Sequence, residues 1–278
     1  MKTYIAYRLP NKKTVLYFSG NGIWINQLSE LLENGIIFHS FLGDQILHIA
    51  NLQKINSADF KVEYGNETDS QQTKEEYIKS FRQLKTEIES NRFKKIILSR
   101  TKKVNTSKNA IAIFEELNQK YTSTFNYIIS NSEIGTWMGA SPERLLTIAE
   151  KNISTMALAG TKSKNTNWTE KEFEEQVLVT DTIVETLKET NCTAIKTNGP
   201  TTINAGKIQH LHTEINAKMK HKTDWVKILN ALHPTAAVCG IPKKAAQAFI
   251  PKLEKYNRKF YTGFIGIITP NNKQFFLN

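Results

Sequence analysis

The chain has 278 residues, of which 40% are hydrophobic and 23% are charged. It can therefore build a large core, and its composition is not that of a disordered protein. Its formal net charge of +11 suits an anionic ligand, but the lysines are scattered and no nucleic-acid-binding motif accompanies them, so no nucleic acid is expected as a partner. Because it has two distant cysteines, no signal-peptide-like start and no apolar run of membrane length, we expect a cytoplasmic protein that binds no membrane. A monomer is the default expectation.

The first 70 residues alternate short apolar runs with turns, a pattern that predicts strands. The predicted strands cover 4–9, 14–19, 35–42 and 45–52, with a short helix near 25–34. Residues 64–74, YGNETDSQQTK, are the most linker-like stretch of the chain. A helix over 74–90 is predicted next, with Thr73 as its N-cap. Its apolar positions are Tyr77, Ile78, Phe81, Leu84 and Ile88.

The middle of the chain mixes strands with two helices. KKIILSR, residues 94–100, is typical of a buried strand. A helix is predicted over 111–121, and two pairs of strands follow, 125–131 with 133–140 and 145–150 with 152–161. The clearest helix covers 169–189, where Thr169 and Glu172 form a capping box. The predicted buried stripe of this helix comprises Phe173, Val177, Thr180, Val184 and Leu187, widened by Leu178, Val179 and Ile183.

The C-terminal part continues the mixture. Helices are predicted over 225–232 and 243–256, and strands over 258–269 and 273–278. Strands and helices alternate without a regular order, which indicates the α+β class.

Glu143 raises the first question of chemistry. It follows Pro142 in GTWMGASPERLL, residues 135–146, which predicts a turn between two apolar runs. A single glutamate in a turn is ordinarily solvated, so the local pattern alone favours a surface position.

Lys95 and Glu175 lie in stretches that predict burial. Lys95 begins an apolar run, where a buried lysine would lose its proton more readily and could act as a base, although spacing alone favours a side chain in water. Glu175 lies inside the helix over 169–189, where a buried carboxylate needs a partner such as a metal ion. A partly exposed glutamate near the helix N-terminus is an equally good interpretation.

Two further patterns are ambiguous. His210 and His212 in IQHLHTEI lie on one face of a strand and could bind a metal, but no third ligand is near, so structural histidines are favoured. Gly160 in ALAGT and Gly263 in TGFIG lie in strand-like runs, where glycine marks the close approach of a ligand or a backbone, or a bulge.

Seven segments, taken in order and spacing, resemble the chorismate-utilising enzymes and, within them, the isochorismate synthases. They are KKIILSR, GASPERLL, ALAGT, EEQVLVTD, IQHLHT, LHPTAAVCGIP and FYTGFIG. The resemblance implies an α+β fold of two stacked, mainly antiparallel sheets flanked by helices. It also implies that residues 1–70 are a less specific N-terminal part of the same fold, and that 71–278 are the chorismate-binding catalytic region.

The resemblance implies an Mg²⁺-dependent conversion of chorismate to isochorismate by addition of water at C2 and loss of the C4 hydroxyl. Lys95 matches the base that activates the water, Glu143 the acid that protonates the leaving hydroxyl, and Glu175 a magnesium ligand. A dry pocket would raise the pKa of Glu143 and keep it protonated, as an acid requires. The implied substrate-binding residues are Gly160, Thr161, His210, Ala237 and Gly263.

Two positions discriminate within the family. Ala159 stands where aminodeoxychorismate synthases carry a nucleophilic lysine, and anthranilate synthases lack a base at the position of Lys95. Salicylate synthases share this lysine and are the alternative. Isochorismate feeds menaquinone or siderophore synthesis, and the sequence does not choose between them.

Sequences of the family continue beyond the position of Asn278, with an arginine for a substrate carboxylate, a second magnesium glutamate and a lysine. The resemblance therefore implies a C-terminally incomplete catalytic region, which is expected to turn chorismate over slowly or not at all. A second alternative is a non-catalytic homologue that keeps the fold.

Overall fold

A computed structural model describes residues 1–31, 34–65, 72–206 and 208–278. The strands of the first part are β1 (Lys2–Arg8), β2 (Leu16–Ile25), β3 (Gly35–His39) and β4 (Ile46–Lys54). Then come α1 (Lys74–Glu89), β5 (Lys95–Ile96), α2 (Ala110–Lys120), β6 (Phe125–Asn131), β7 (Gly135–Ser141), β8 (Arg144–Ala149) and β9 (Asn152–Ser163). The last part comprises α3 (Glu170–Glu189), β10 (Thr193–Ala205), β11 (Ile208–Lys218), α4 (Trp225–Leu232), β12 (Gly240–Ile241), α5 (Lys243–Glu254), β13 (Phe264–Ile268) and β14 (Asn272–Leu277).

Twelve of the described strands form one sheet, in the order β10-β11-β9-β8-β14-β13-β3-β4-β2-β1-β6-β7. Its neighbours pair antiparallel, and β5 and β12 form a separate antiparallel ladder of two strands. This confirms the α+β class with mainly antiparallel strands. Strands from residues 1–70 share the sheet with later strands, since β1 pairs with β6 and β3 pairs with β13.

The sheet packs on both faces, because its central strands bury alternate side chains in opposite directions. Ile37 and Phe264 point into a first core, which α3 and α4 cover. Phe38 and Phe276 point into a second core, which also takes side chains from β1 and β6 at the far end of the strand order. There Phe125 stacks on Phe276 with ring centroids 4.2 Å apart. The sheet therefore folds back on itself, so that β1 and β6, near one end of the strand order, pack against β14, β13 and β3 in its middle.

Helix α3 buries only part of the predicted stripe, namely Val179, Ile183 and Leu187. Its capping box of Thr169 and Glu172 is present, as predicted. Val179 is fully buried against the sheet, but Phe173 and Val177 of the predicted stripe are 42% and 53% exposed. The helix carries more apolar residues than one face can hold, so packing selects among them and the helix is only half-buried.

Other elements differ from prediction in extent. Only Lys95 and Ile96 of the predicted strand 94–100 form a ladder, and the predicted helix near 25–34 is a single 3-10 turn at Leu28–Glu30, with residues 32 and 33 outside the described residues. Most of the predicted linker, 66–71, also lies outside them. Strand β10 is missed because it is polar, mostly exposed and at the edge of the sheet.

Candidate active site

Lys95 is held by the ladder of β5 and β12. The amide of Lys94 donates to the carbonyl of Ile241 at 2.9 Å, and the amide of Ile97 donates to the carbonyl of Cys239 at 2.9 Å. The strands approach closely because Gly240 has no side chain, since a Cβ there would lie 2.5 Å from the carbonyl oxygen of Lys95. The lysine side chain is 8% exposed. It therefore points into the protein rather than into water, and its Nζ donates to Glu175.

Glu143 occupies the corner between β7 and β8. These strands leave the corner to pair with different partners, β7 with β6 and β8 with β14 and β9, so the corner lies inside the fold. The main-chain carbonyl of Glu143 accepts from the amide of Leu277 at 3.1 Å. Burial raises the pKa of its carboxyl to about 8, against the opposing effect of the Lys95 charge. The glutamate in the turn is thus a buried acid that keeps its proton at neutral pH.

Glu175 lies near the start of α3, and its neighbour Gln176 fixes that part of the helix to the sheet. The Gln176 side chain accepts from the amide of Ala159 at 3.0 Å and donates to the carbonyl of Ala157 at 3.0 Å and the hydroxyl of Thr213 at 2.9 Å. Sequence reasoning missed Gln176, although an amide inside an apolar stripe was the available signal. Because Gln176 is locked, the adjacent carboxylate of Glu175 is presented to Lys95.

The structure brings the three predicted catalytic and metal-binding residues into one site. Lys95 bonds directly to Glu175, and its charge is near enough to Glu143 to oppose the rise in that pKa. A buried cation, a carboxylate and a protonated carboxyl group therefore lie together. Such a set can exchange protons with a bound molecule in both directions.

Three of the predicted substrate-binding residues lie where β9 and β11 meet the start of α3. Thr161 Oγ1 and His210 Nδ1 are 2.9 Å apart. A Cβ at Gly160 would lie 2.9 Å from the carbonyl of Glu172 and 2.9 Å from Leu211, so this glycine permits the close approach of helix and strand. The three residues thus adjoin the turn of α3 that precedes Glu175.

The other two adjoin the segments that support Lys95 and Glu143. Ala237 precedes the segment that pairs with β5. The carbonyl of Gly263 accepts from the amide of Asn278 at 3.0 Å, beside the residue that donates to Glu143. A Cβ at Gly263 would lie 1.9 Å from the carbonyl oxygen of His39, so the close approach here is by backbone.

His212 belongs to a polar network rather than to a metal site. Its Nε2 lies 3.5 Å from Glu214 Oε2, and Glu214 also accepts from Arg144 and Ser154. Burial opposes ionisation of Glu214, but the hydrogen bonds from His212 and Ser154 and the charge of Arg144 outweigh it and lower its pKa to about 2. This agrees with the interpretation of His212 as a structural histidine.

A magnesium ion would find one carboxylate at this site. Within the described ranges, no group of three His, Cys, Asp or Glu side chains could hold a metal ion. Mg²⁺ in proteins is often held by one or two carboxylates, with water and substrate oxygens filling its shell. Glu175 fits as such a single ligand, with its oxygen at present facing the cation of Lys95.

Comparisons with known proteins agree on one family. A family model described as "Chorismate binding enzyme" matches residues 38–277. The chain is 28% identical over 197 residues to isochorismate synthase MenF of Haemophilus influenzae, covering 66% of this chain and 46% of the relative. It is 27% identical over 196 residues to isochorismate synthase 2 of Arabidopsis thaliana, covering 65% of this chain and 35% of the relative. The chain thus spans half or less of the length of these relatives.

Solved structures show the same fold. The isochorismate synthase MenF of Escherichia coli superposes with a TM-score of 0.79 at 18% identity, covering 99% of this chain and 78% of that one. DhbC of Bacillus anthracis is described as a putative 2,3-dihydroxybenzoate-specific isochorismate synthase. It superposes with a TM-score of 0.77 at 20% identity, covering 99% of this chain and 84% of that one. None of the helices in the described part of the chain is long and apolar enough to cross a membrane.

Proposed function

Because the chain belongs to the chorismate-binding enzyme family, we propose that it is an isochorismate synthase, which adds water at C2 of chorismate and removes the C4 hydroxyl. One observation carries the proposal. A carboxyl with a pKa raised to about 8 lies buried beside the Lys95–Glu175 pair, as an acid and a base acting on one substrate require. The names of the related proteins support isochorismate as the product.

Each residue has a defined task in this reaction. Glu143 holds a proton at neutral pH and gives it to the departing C4 hydroxyl, which leaves as water. Lys95, in its neutral form, takes a proton from the water that adds at C2, so the site gains one proton there as Glu143 gives one up, and Glu175 stays ionised beside it. One water enters and one leaves, so the reaction is an isomerisation. Burial of both side chains keeps other water away from the ring.

The remaining residues bind and orient the substrate. Thr161 and His210 offer a hydroxyl and a ring nitrogen at one end of the site. Glu175 would hold Mg²⁺, which when bound supplies positive charge to the ring carboxylate. We further propose a cytoplasmic enzyme that acts as a monomer, with its product entering menaquinone or siderophore synthesis.

Product analysis tests the proposal. The purified chain is incubated with chorismate and Mg²⁺, with and without EDTA, and the products are separated by chromatography. We expect isochorismate, formed slowly, and less of it with EDTA. Salicylate with pyruvate would instead identify a salicylate synthase, and no product from a folded sample would identify a non-catalytic homologue.

Lys95→Ala provides the matched variant. Loss of a general base lowers the rate by about 100- to 10,000-fold. The control is Lys94→Ala, because Lys94 is the adjacent lysine in the same ladder but its side chain is exposed. We expect Lys94→Ala to keep isochorismate formation near the wild-type rate. Circular dichroism of both variants checks that they fold. Equal loss of turnover in the two variants would contradict the role of Lys95.

A further inference from the structure

A buried ion pair that the proposed reaction does not use lies against the segment that follows Lys95. Glu254 ends α5, and Arg258 follows in the next turn; their side chains are 0% and 2% exposed. Arg258 Nη2 donates to Glu254 Oε1 at 2.6 Å, and Nε donates to Oε2 at 2.8 Å. The guanidinium and the carboxylate thus meet as a two-pronged fork.

The rest of the guanidinium joins two main-chain segments of the site. Arg258 Nη2 donates to the carbonyl of Ile97 at 2.8 Å, and Nη1 donates to the carbonyl of Val238 at 2.9 Å. Ile97 directly continues the strand that holds Lys95, and Val238 follows Ala237. One side chain therefore connects the segment of the catalytic lysine with a segment predicted to contact the substrate.

Glu254 strengthens the same connection. The amide and the hydroxyl of Ser99 both donate to Glu254 Oε1, at 2.6 and 2.9 Å. Arg258 thus bonds to Ile97, and Glu254 bonds to Ser99, so both members of the ion pair hold this segment. The Arg258 guanidinium also lies 4.5 Å from the ring centroid of Phe41, which packs against its face.

The geometry explains why an arginine is needed. A buried ion pair costs desolvation energy that is recovered only when further hydrogen bonds satisfy its donors and acceptors. The guanidinium of Arg258 donates hydrogen bonds to Glu254, to two main-chain carbonyls and to the hydroxyl of Thr262. A lysine ammonium has three donors on a single atom and cannot span these partners.

We propose that Arg258, oriented by Glu254, is a positioning residue that sets Lys95 and the 237–239 segment relative to each other. The consequence for catalysis rests on the proposed function, but the consequence for the main chain does not. Without the fork, the β5–β12 ladder loosens at the hydrogen bond between the Ile97 amide and the Cys239 carbonyl.

Amide hydrogen exchange of the full chain tests the main-chain part. Arg258→Lys keeps the positive charge and loses the fork. We expect the Ile97 amide to exchange at least about tenfold faster, because hydrogen bonds to a buried charged group are lost. The control is Arg8→Lys. Arg8 is also buried, and its guanidinium also donates to main-chain carbonyls, of Lys12 and Thr122, but these belong to other segments.

The outcomes are distinct. Faster exchange at Ile97 in Arg258→Lys but not in Arg8→Lys supports the proposal, and unchanged exchange in Arg258→Lys, or equal acceleration in both, overturns it. If Arg258→Lys does not fold, Ser99→Ala decides, because it removes one hydrogen bond to Glu254. A smaller acceleration at Ile97 is then expected, and no acceleration overturns the proposal.

Turnover tests the catalytic part. In Arg258→Lys we expect kcat for chorismate to fall about 100-fold, as when a catalytic group moves by roughly 1 Å, with a smaller change in KM. If the wild-type chain forms no isochorismate, the proposed function fails while the exchange result still decides the role of Arg258. If Arg258→Lys keeps the wild-type kcat, the positioning of Lys95 is refuted.

Discussion

Glu143 shows how a buried corner changes the chemistry of a carboxyl group. Its folded-state pKa is raised from 4.5 to about 8 by burial, despite the opposing Lys95 charge. Between these two values, the folded protein keeps a proton that the unfolded chain has released. Stability therefore falls as the pH rises through this window and changes no further, on account of this group, above about pH 8. A group suited to acid catalysis thus destabilises the fold at neutral pH.

Replacing this carboxyl should remove the penalty. Glu143→Gln cannot ionise, so we expect its free energy of unfolding to exceed that of the wild type at pH 9 by a few kcal/mol, at roughly 1.4 kcal/mol for each unit of pKa shift. The gap should shrink as the pH falls toward 4.5. Urea unfolding at pH 5, 7 and 9 measures this gap. Glu75→Gln, at an exposed position of α1, controls for the loss of a charge. If the difference in free energy of unfolding between Glu143→Gln and the wild type does not vary with pH, the burial argument is contradicted.

At the scale of single elements, α3 presents two valines in opposite environments. Val179 is fully buried in the first core, whereas Val177, two residues earlier, is 53% exposed. Val179→Ala removes two buried methyl groups and leaves a cavity, so it should lower the free energy of unfolding by about 2 kcal/mol. Val177→Ala should change it by less than about 0.5 kcal/mol. Urea unfolding of both variants measures the difference, and equal losses would place the buried face of α3 elsewhere.

The same helix shows what the sequence can and cannot predict. Its existence and its capping box follow from local spacing, because they depend on neighbours three and four residues apart. Its predicted apolar stripe is too wide, because it contains both Val179, which is buried, and Val177, which is exposed, and only contact with β9 and β11 selects between them.

The candidate site follows the same division. Local patterns alone favour a solvated Glu143 and a solvated Lys95. Their functional interpretation rests on the resemblance of seven separate segments to the chorismate-utilising enzymes. What buries these side chains is the tertiary arrangement, namely the divergence of β7 and β8 and the ladder of β5 with β12. The fork of Arg258 connects residues 161 positions apart in sequence, so no local pattern could reveal it.

At the scale of the whole molecule, the two cores share strands. Neighbouring residues of β3 and of β13 enter opposite cores, Ile37 the first and Phe38 the second, and Phe264 the first and Ile265 the second. Loss of either core therefore removes one supporting face from the same strands. The N-terminal strands cannot form an independent unit without leaving the first core uncovered, and we expect the chain to unfold in a single transition.

Two tryptophans report on the two cores separately. Trp137 packs against the second core and Trp225 against the first. Variants in which Trp24, Trp168 and one of these two are replaced therefore give local fluorescence signals. Ile215→Ala, which truncates a fully buried side chain of the first core, should lower the free energy of unfolding by about 2–5 kcal/mol. If the cores are coupled through shared strands, urea unfolding should show the same shift in midpoint at Trp137 as at Trp225. A shift at Trp225 with none at Trp137 would mean that the second core folds alone, and that the continuous sheet does not couple the layers.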